Sequence, residues 1–196
     1  MLSSCLVASV GLGYENLIKN TFFSIPNLIN KIFIINDTGR PFKFDLKDKR
    51  ISVLNNESSI GLSESLKKWS EEYYKYDLVF RLDIGDKSLP ERFINQYNFM
   101  EENHNCVLCG YKTNLILPGK RNKYSFNSLN SNFIKLTLLL KNCFVHGSIC
   151  IRSKTLKEAG GYSSFYKSCQ DIEMYLRIMK FGDLAILNGN HHTHKF

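Results

Sequence analysis

The stretch from Asp77 to Glu91 reads DLVFRLDIGDKSLPE, and the fold turns on it. Leu78, Val79 and Phe80 make a short continuous apolar run, the pattern of a strand covered on both faces, as strands of a parallel sheet are. The run gives way to Asp83 and Asp86, two carboxylates around Gly85. In an open α/β sheet the carboxyl ends of the strands are where ligands bind, because the loops diverge there from a rigid base. The stretch therefore predicts a strand from Leu78 to Leu82 and a functional site just beyond it.

Upstream, short apolar runs alternate with helix-period segments. Cys5 to Val10 reads as a first buried strand, Tyr14 to Ile25 as a helix stopped by Pro26, Lys31 to Ile35 as a second strand and Arg50 to Leu54 as a third. Leu62 to Tyr76 fits a helix, with Ser63 as its cap and Leu66, Trp69 and Tyr73 on one face. A helix from Pro90 to Met100 follows the central strand, with proline in the first turn, where its missing N–H costs nothing. This rhythm predicts an α/β fold: a Rossmann-like, mostly parallel central sheet with helices on both faces.

Downstream the pattern is less regular. Cys106 to Tyr111 and Gly147 to Ile151 read as strands, Phe133 to Leu140 as a helix or strand, and Thr155 to Ala159 as a short helix. Gln170 to Lys180 reads as a helix with Ile172, Tyr175, Leu176 and Met179 inward, and Leu184 to Leu187 as the last regular segment. The polar, basic segment 118–132 reads as a loop long enough to be functional. The tail with His191, His192 and His194 reads as a disordered end, or else as the source of a metal ligand.

With 196 residues, 43% of them hydrophobic and including 14 Phe and 10 Tyr, the chain can bury a full core as one domain. The net charge of +8 favours anionic partners. No cluster of Lys and Arg has the density of a nucleic-acid arm and no nucleic-acid motif occurs, so nucleic acid is not the expected partner. The first residues lack a basic leader and no run of about 18 apolar residues occurs, which predicts a soluble, cytoplasmic protein. The six cysteines suit buried thiols in a reducing compartment. Cys106 and Cys109 are three apart in a strand, a spacing that sends side chains to opposite faces and argues against a zinc site with Cys143, His146 and Cys150.

Two partial signals point to a nucleotide. Gly11-Leu12-Gly13 follows the first strand and Asp37 ends the second, superficially a dinucleotide-binding arrangement, but no third glycine follows to let a helix approach the phosphates. Asp37 still places an acceptor where a base or ribose could be held.

Five segments, IFIINDTG (32–39), SSIGLSESLKKW (58–69), FRLDIGDKSLPERF (80–93), FVHGSICIR (144–152) and AGGYSSFYKSCQDIEMYLRIMKFGDLAIL (159–187), resemble in order and spacing the family 2 glycosyltransferases with the GT-A fold. The resemblance covers nearly the whole chain. It implies a nucleotide-sugar donor such as a UDP-sugar, a single displacement at the anomeric carbon with inversion, and a divalent cation, Mn2+ or Mg2+, on the diphosphate. It divides the domain into a nucleotide-binding half, about 1–90, and an acceptor and catalytic half, about 91–196.

Carried over by position, Ala8, Ser9 and Asp37 are similar to residues that hold the nucleobase and ribose, and Gly61 to a glycine near the nucleotide. Leu66-Lys67 stands where relatives often have Arg-Asn, with Lys67 left to neutralise phosphate. Asp83 matches the first acid of an Asp-x-Asp element whose second position is Gly85 here, and Asp86, one residue on, is the replacement metal ligand. Arg81, Lys67 and the 120–123 loop are the alternative means of balancing the diphosphate charge. Asp171 matches the catalytic base, and Arg177 braces the fold. The implied acceptor is a glycan or lipid-linked glycan of cell-surface polysaccharide synthesis, and the net charge of +8 with the basic 118–132 loop suits peripheral contact with the inner membrane face. Against this stand a non-catalytic nucleotide-sugar-binding or scaffold protein, motivated by Gly85, and a dinucleotide-dependent oxidoreductase, motivated by Gly11-x-Gly13 and Asp37.

Overall fold

The computed structural model describes residues 1–11, 17, 21, 25–41, 48–119, 122–166 and 168–195. Most of the helix expected from Tyr14 to Ile25, Gly13 of the glycine pair and residues 120 and 121 of the basic loop lie outside the described residues. Seven strands form the central sheet: β1 (Ser4–Val10), β2 (Lys31–Asn36), β3 (Ile51–Asn55), β4 (Leu78–Arg81), β6 (Cys106–Tyr111), β9 (Cys150–Arg152) and β10 (Asp183–Leu187), in the order β10-β6-β9-β4-β1-β2-β3. All neighbours are parallel except β9, which runs antiparallel to both β4 and β6.

The strands are apolar on both faces because both are covered. Alternate residues of β1 enter different clusters: Cys5 and Val7 one, Leu6, Ala8 and Val10 the other, as the two-residue period of a strand requires. The first cluster is closed by Leu66 of α1 (Leu62–Lys68), Tyr73 of α2 (Ser70–Tyr73), Ile134 and Leu138 of α4 (Ser131–Leu140), Leu156 of α5 (Ser153–Glu158) and Met174, Tyr175 and Ile178 of α6 (Gln170–Ile178). Phe93, Tyr97 and Met100 of α3 (Pro90–Glu102) close the second. Phe93 has no solvent exposure, and truncating such a side chain to alanine costs about 3–5 kcal/mol.

Several local expectations are corrected. The helix from Leu62 breaks at Trp69, and its cap is Gly61, at φ 89°, not Ser63, whose hydroxyl instead donates to the Tyr166 carbonyl. The expected strand at Gly147 starts as a 3-10 turn, His146–Ser148, before β9. Helix α6 has the expected period with its phase moved on, burying Met174, Tyr175 and Ile178 while Ile172, Leu176 and Met179 are half-buried. Val107 is an extra residue in β6 opposite the Asp183–Leu184 step of β10, so Cys106 and Cys109 share one core cluster with Cys150 rather than facing apart. Cys169 is exposed and not a buried thiol.

The largest departure is the tail. His192–Lys195 is strand β11, which joins β5 (Lys87–Ser88), β7 (Asn114–Ile116) and β8 (Lys123–Tyr124) in a second sheet of order β5-β11-β7-β8. Part of the basic loop is therefore strand, and the histidines are carried back onto the chain just after Asp86.

Candidate active site

The site grows from the end of β4. Arg81 is 1% exposed; its Nη1 donates to the Val7 carbonyl at 2.6 Å and its Nη2 to Oδ1 of Asp83 at 3.1 Å. It is committed to bracing Asp83 against β1, and the expectation that it neutralises a phosphate directly does not fit so enclosed a position. Gly85 then turns the chain at φ 100°, a left-handed conformation that a side chain resists. The turn closes with the Asp86 N–H donating to the Asp83 carbonyl at 3.1 Å. Both carboxylates thus come to one place because the intervening residue is glycine.

Asp86 is 4% exposed and is held by the tail. His194 Nδ1 lies 2.8 Å from its Oδ1, and His192 Nε2 lies 3.2 Å from its Oδ2. Behind them Ser88 Oγ is 2.5 Å from His192 Nδ1 and accepts from Arg92 Nη1. Arg92 also donates to Gln96 Oε1 and to the carbonyls of Arg81 and Ile149. Ser88 belongs to this buried network, and Leu89 occupies the cap position of α3 with no side-chain bond.

The electrostatics follow from burial and pairing. Burial alone would raise the Asp86 carboxyl, but the imidazoles of His192 and His194 outweigh it and hold it below the ordinary range. Burial pushes His192 down to about 4, against the pull of Asp86. The hydrogen bond to Asp86 raises His194, against partial burial. Burial also lowers Arg92 to about 10, which leaves it charged at neutral pH.

One ligand atom each from Asp83, Asp86 and His194 lies within 4.8 Å of the others. Oδ2 of Asp86 is buried, with His192 Nε2 3.2 Å away. Carboxylate oxygens with an imidazole nitrogen make a donor set that fits Mn2+, and the oxygens also suit Mg2+. Gly147 lets the 144–152 segment press against this cluster: a Cβ there would lie 2.7 Å from Asp86 Oδ2 and 3.0 Å from Asp83 Oδ2.

Asp83 borders two cavities. One, about 380 Å³, is lined by Ser9, Gly11, Asp37, Leu62, Asp83 and Ile84. The other, about 470 Å³, brings Asp83 together with His194, His146, Lys141, Asn142 and Asp171. Asp171 lies in the first turn of α6, and its Oδ2 accepts from Asn142 Nδ2 at 2.8 Å. The half-buried His146 is 2.8 Å from the Tyr162 hydroxyl, and burial followed by the Arg81 charge lowers it to about 4. A third cavity, about 530 Å³, opens at the amino ends of β6 and β10, away from the carboxyl ends where Asp83 sits.

The remaining expected residues are placed as follows. Ser9 faces the smaller cavity and Ala8 is buried beneath it. Asp37 borders that cavity while its oxygens accept from Asn56 Nδ2, Ser59 Oγ and the N–H groups of Ile60 and Gly61. Burial would raise the Asp37 carboxyl, but these bonds prevail and lower it. Gly61 lines a neighbouring depression with Ser164 and Tyr166. Lys67 is exposed, donates to Ser164 Oγ at 3.0 Å, and reaches neither cavity of Asp83. Asn142, Gly147 and Tyr162 were not foreseen, and nothing in their local sequence marks them. Arg177 pairs with Glu173 and donates to the Gly161 carbonyl, the bracing role expected of it.

No family model matches the chain. Over 172 residues it is 26% identical to the O-antigen biosynthesis glycosyltransferase WbnJ of Escherichia coli, covering 82% of this chain and 67% of that protein. Over 126 residues it is 29% identical to the amylovoran biosynthesis glycosyltransferase AmsE of Erwinia amylovora, covering 64% of this chain and 47% of that one. The chain therefore spans about half to two thirds of the curated relatives it matches. Among solved structures, S. aureus TarS 1–349 in complex with UDP superposes with a TM-score of 0.78 at 14% identity, over 100% of this chain and 61% of that one. GalNAc-T7 with UDP, GalNAc and Mn2+ gives 0.70 at 14% identity, over 100% and 44%. The chain has the GT-A fold, and the curated proteins it is similar to are named glycosyltransferases, which is consistent with the family 2 type that its sequence resembles.

Proposed function

We propose that the chain is one catalytic domain that moves a single sugar, with inversion, from a nucleotide-sugar donor, a UDP-sugar, to a glycan acceptor. The observation that carries this reading is the position of Asp83 on the wall shared by a cavity lined by Ser9 and Asp37 and a cavity containing Asp171. In this reading the nucleotide lies along Ala8, Ser9, Asp37 and Gly61, and the diphosphate ends at Asp83. The structures of TarS with UDP and with UDP-GlcNAc support a nucleotide-sugar donor.

Asp171 takes the proton of the acceptor hydroxyl as its oxygen attacks the anomeric carbon, and the bond to the diphosphate breaks on the opposite face. Asn142 steers the Asp171 carboxylate through its 2.8 Å bond. Asp83, Asp86 and His194 would hold Mn2+ or Mg2+, which when bound supplies positive charge to the diphosphate leaving group. Arg81 fixes Asp83 in its rotamer, and His192 with Ser88 and Arg92 fixes Asp86. The acceptor is a cell-surface or lipid-linked glycan, consistent with the O-antigen and amylovoran biosynthesis named for WbnJ and AmsE. No helix among the described residues is long and apolar enough to cross a membrane, and the net charge of +8 favours peripheral contact at the cytoplasmic membrane face.

A panel of nucleotide sugars, scored by thermal shift with and without Mn2+ and then by transfer or donor hydrolysis, tests the reading. A donor that stabilises wild type and Asp171→Asn alike, but turns over only with wild type, is the expected result. Turnover in neither protein, with a donor bound, favours the non-catalytic binding protein. Stabilisation by NAD and not by any nucleotide sugar favours the oxidoreductase.

A further inference from the structure

Helix α4 carries more apolar surface than the fold uses. Ile134 and Leu138 are buried, whereas Phe133 is 51% exposed, Leu136 59%, Leu139 62% and Leu140 83%. At about 100° per residue these four fall on one arc of about 120°. A contiguous ridge of this kind marks an interaction site, where single scattered apolar residues do not.

Lysines border the ridge, while Glu102 and Asp183 line a cavity with Ser131 at the start of the helix. Lys135 is on the helix, Lys141 is its C-cap, and a 5.6 Å contact between the rings of Phe126 and Phe133 ties the segment containing Lys123 to its start. An apolar ridge bordered by lysines fits an anionic lipid surface, with the apolar side chains among the acyl boundary and the ammonium groups at the phosphates. A second copy of the same face would set lysines against lysines, which a self-complementary contact disfavours.

The position of the helix gives the contact a use. Lys141 and Asn142, directly after α4, line the cavity that contains Asp171. We infer that α4 seats the protein on an anionic membrane through Phe133, Leu136, Leu139 and Leu140, and so holds the Asp171 cavity at the headgroup layer, where a lipid-tethered glycan presents its sugar. The acceptor clause rests on the transferase reading, but the docking surface does not.

The test is sedimentation with phosphatidylglycerol–phosphatidylcholine vesicles and with pure phosphatidylcholine vesicles, for wild type, Leu136→Ser with Leu140→Ser, and Lys123→Glu with Lys135→Glu. All four positions are outside the catalytic cluster, and circular dichroism checks that each variant folds. Wild type is expected to bind the anionic vesicles in a salt-sensitive way. The serine pair is expected to lower partitioning by about tenfold or more, and the glutamate pair to abolish the preference for phosphatidylglycerol. Either double variant should keep wild-type turnover of a soluble acceptor. No binding by wild type at low salt, or undiminished binding by the serine pair, overturns the inference. So does a wild-type dimer that the serine pair dissolves, with no vesicle binding, which assigns the ridge to a second copy. Vesicle binding as expected with no sugar transfer on any donor leaves the docking surface standing and removes the transferase.

Discussion

Nδ1 of His194 stands 2.8 Å from Oδ1 of Asp86, a contact between residues 108 apart in the chain. It gives the last strand a function in the site, because it ties a third candidate metal ligand to the two acids that follow β4. Losing a ligand, or the hydrogen bond that orients one, weakens metal binding. Asp86→Asn and His194→Ala are each expected to weaken Mn2+ binding by about tenfold to a hundredfold. Calorimetric titration of Mn2+ checks this, and unchanged affinity in both variants removes the cation from the site.

Asp171 and Asn142 form the second informative pair. If Asp171 removes the acceptor proton, Asp171→Asn should lower kcat by about a hundred- to ten-thousandfold while donor affinity stays within error. Asn142→Ala should lower kcat less, because water can take the place of the amide. Steady-state kinetics together with equilibrium binding of the donor separates the two parameters. A loss confined to donor binding would place Asp171 on the donor side.

What the sequence disclosed depended on how local the cause was. The strand from Leu78, the acids after it and the helix led by Pro90 are written in consecutive residues, so Asp83 and the direction of β4 were legible. Asp171 was legible only because its surrounding segment resembles a known family. The tail was misread because its strand state is not local: Thr193 pairs with both Lys87 and Asn114, and neither pairing leaves a mark on six residues of polar sequence. The facing of Cys106 and Cys109 failed for a related reason, since one extra residue at Val107 reverses the alternation. Arg81 was read as a cation for the diphosphate because its partners, the Val7 carbonyl and Asp83, are set by sheet order.

Gly147 tests how tightly the 144–152 segment must sit on the acids. A Cβ there would come within 2.7 Å of Asp86 Oδ2 and 3.0 Å of both the backbone nitrogen and Oδ2 of Asp83. Since Asp86 is held by two histidines and Asp83 by Arg81, neither can yield freely. Gly147→Ala should destabilise the fold by about 1–3 kcal/mol and lower Mn2+ affinity with it. Urea unfolding and metal titration of the same protein read both effects, and a silent substitution would mean that the segment shifts without cost.

Asp37 joins the nucleotide side of the site to stability, and the sign of its pH dependence can be worked out. Its carboxylate accepts from Asn56 and from the N–H groups of Ile60 and Gly61, and these bonds, overcoming burial, hold its folded value below the ordinary one near 3.8. A lowered folded value means that the unfolded chain binds the proton more readily. The contribution is therefore complete above the unfolded value and is lost as pH falls through the folded one. Asp37→Asn turns an amide NH2 toward donors and should cost about 1–3 kcal/mol at neutral pH. The gap should begin to narrow as pH drops below 3.8, and the two proteins should converge once pH is below the lowered folded value, where wild type loses the same bonds to protonation. Unfolding free energies from urea titrations at neutral and acid pH measure the gap. A gap that stays constant with pH would show that the turn at Ile60 and Gly61 is held by packing and not by the charge of Asp37.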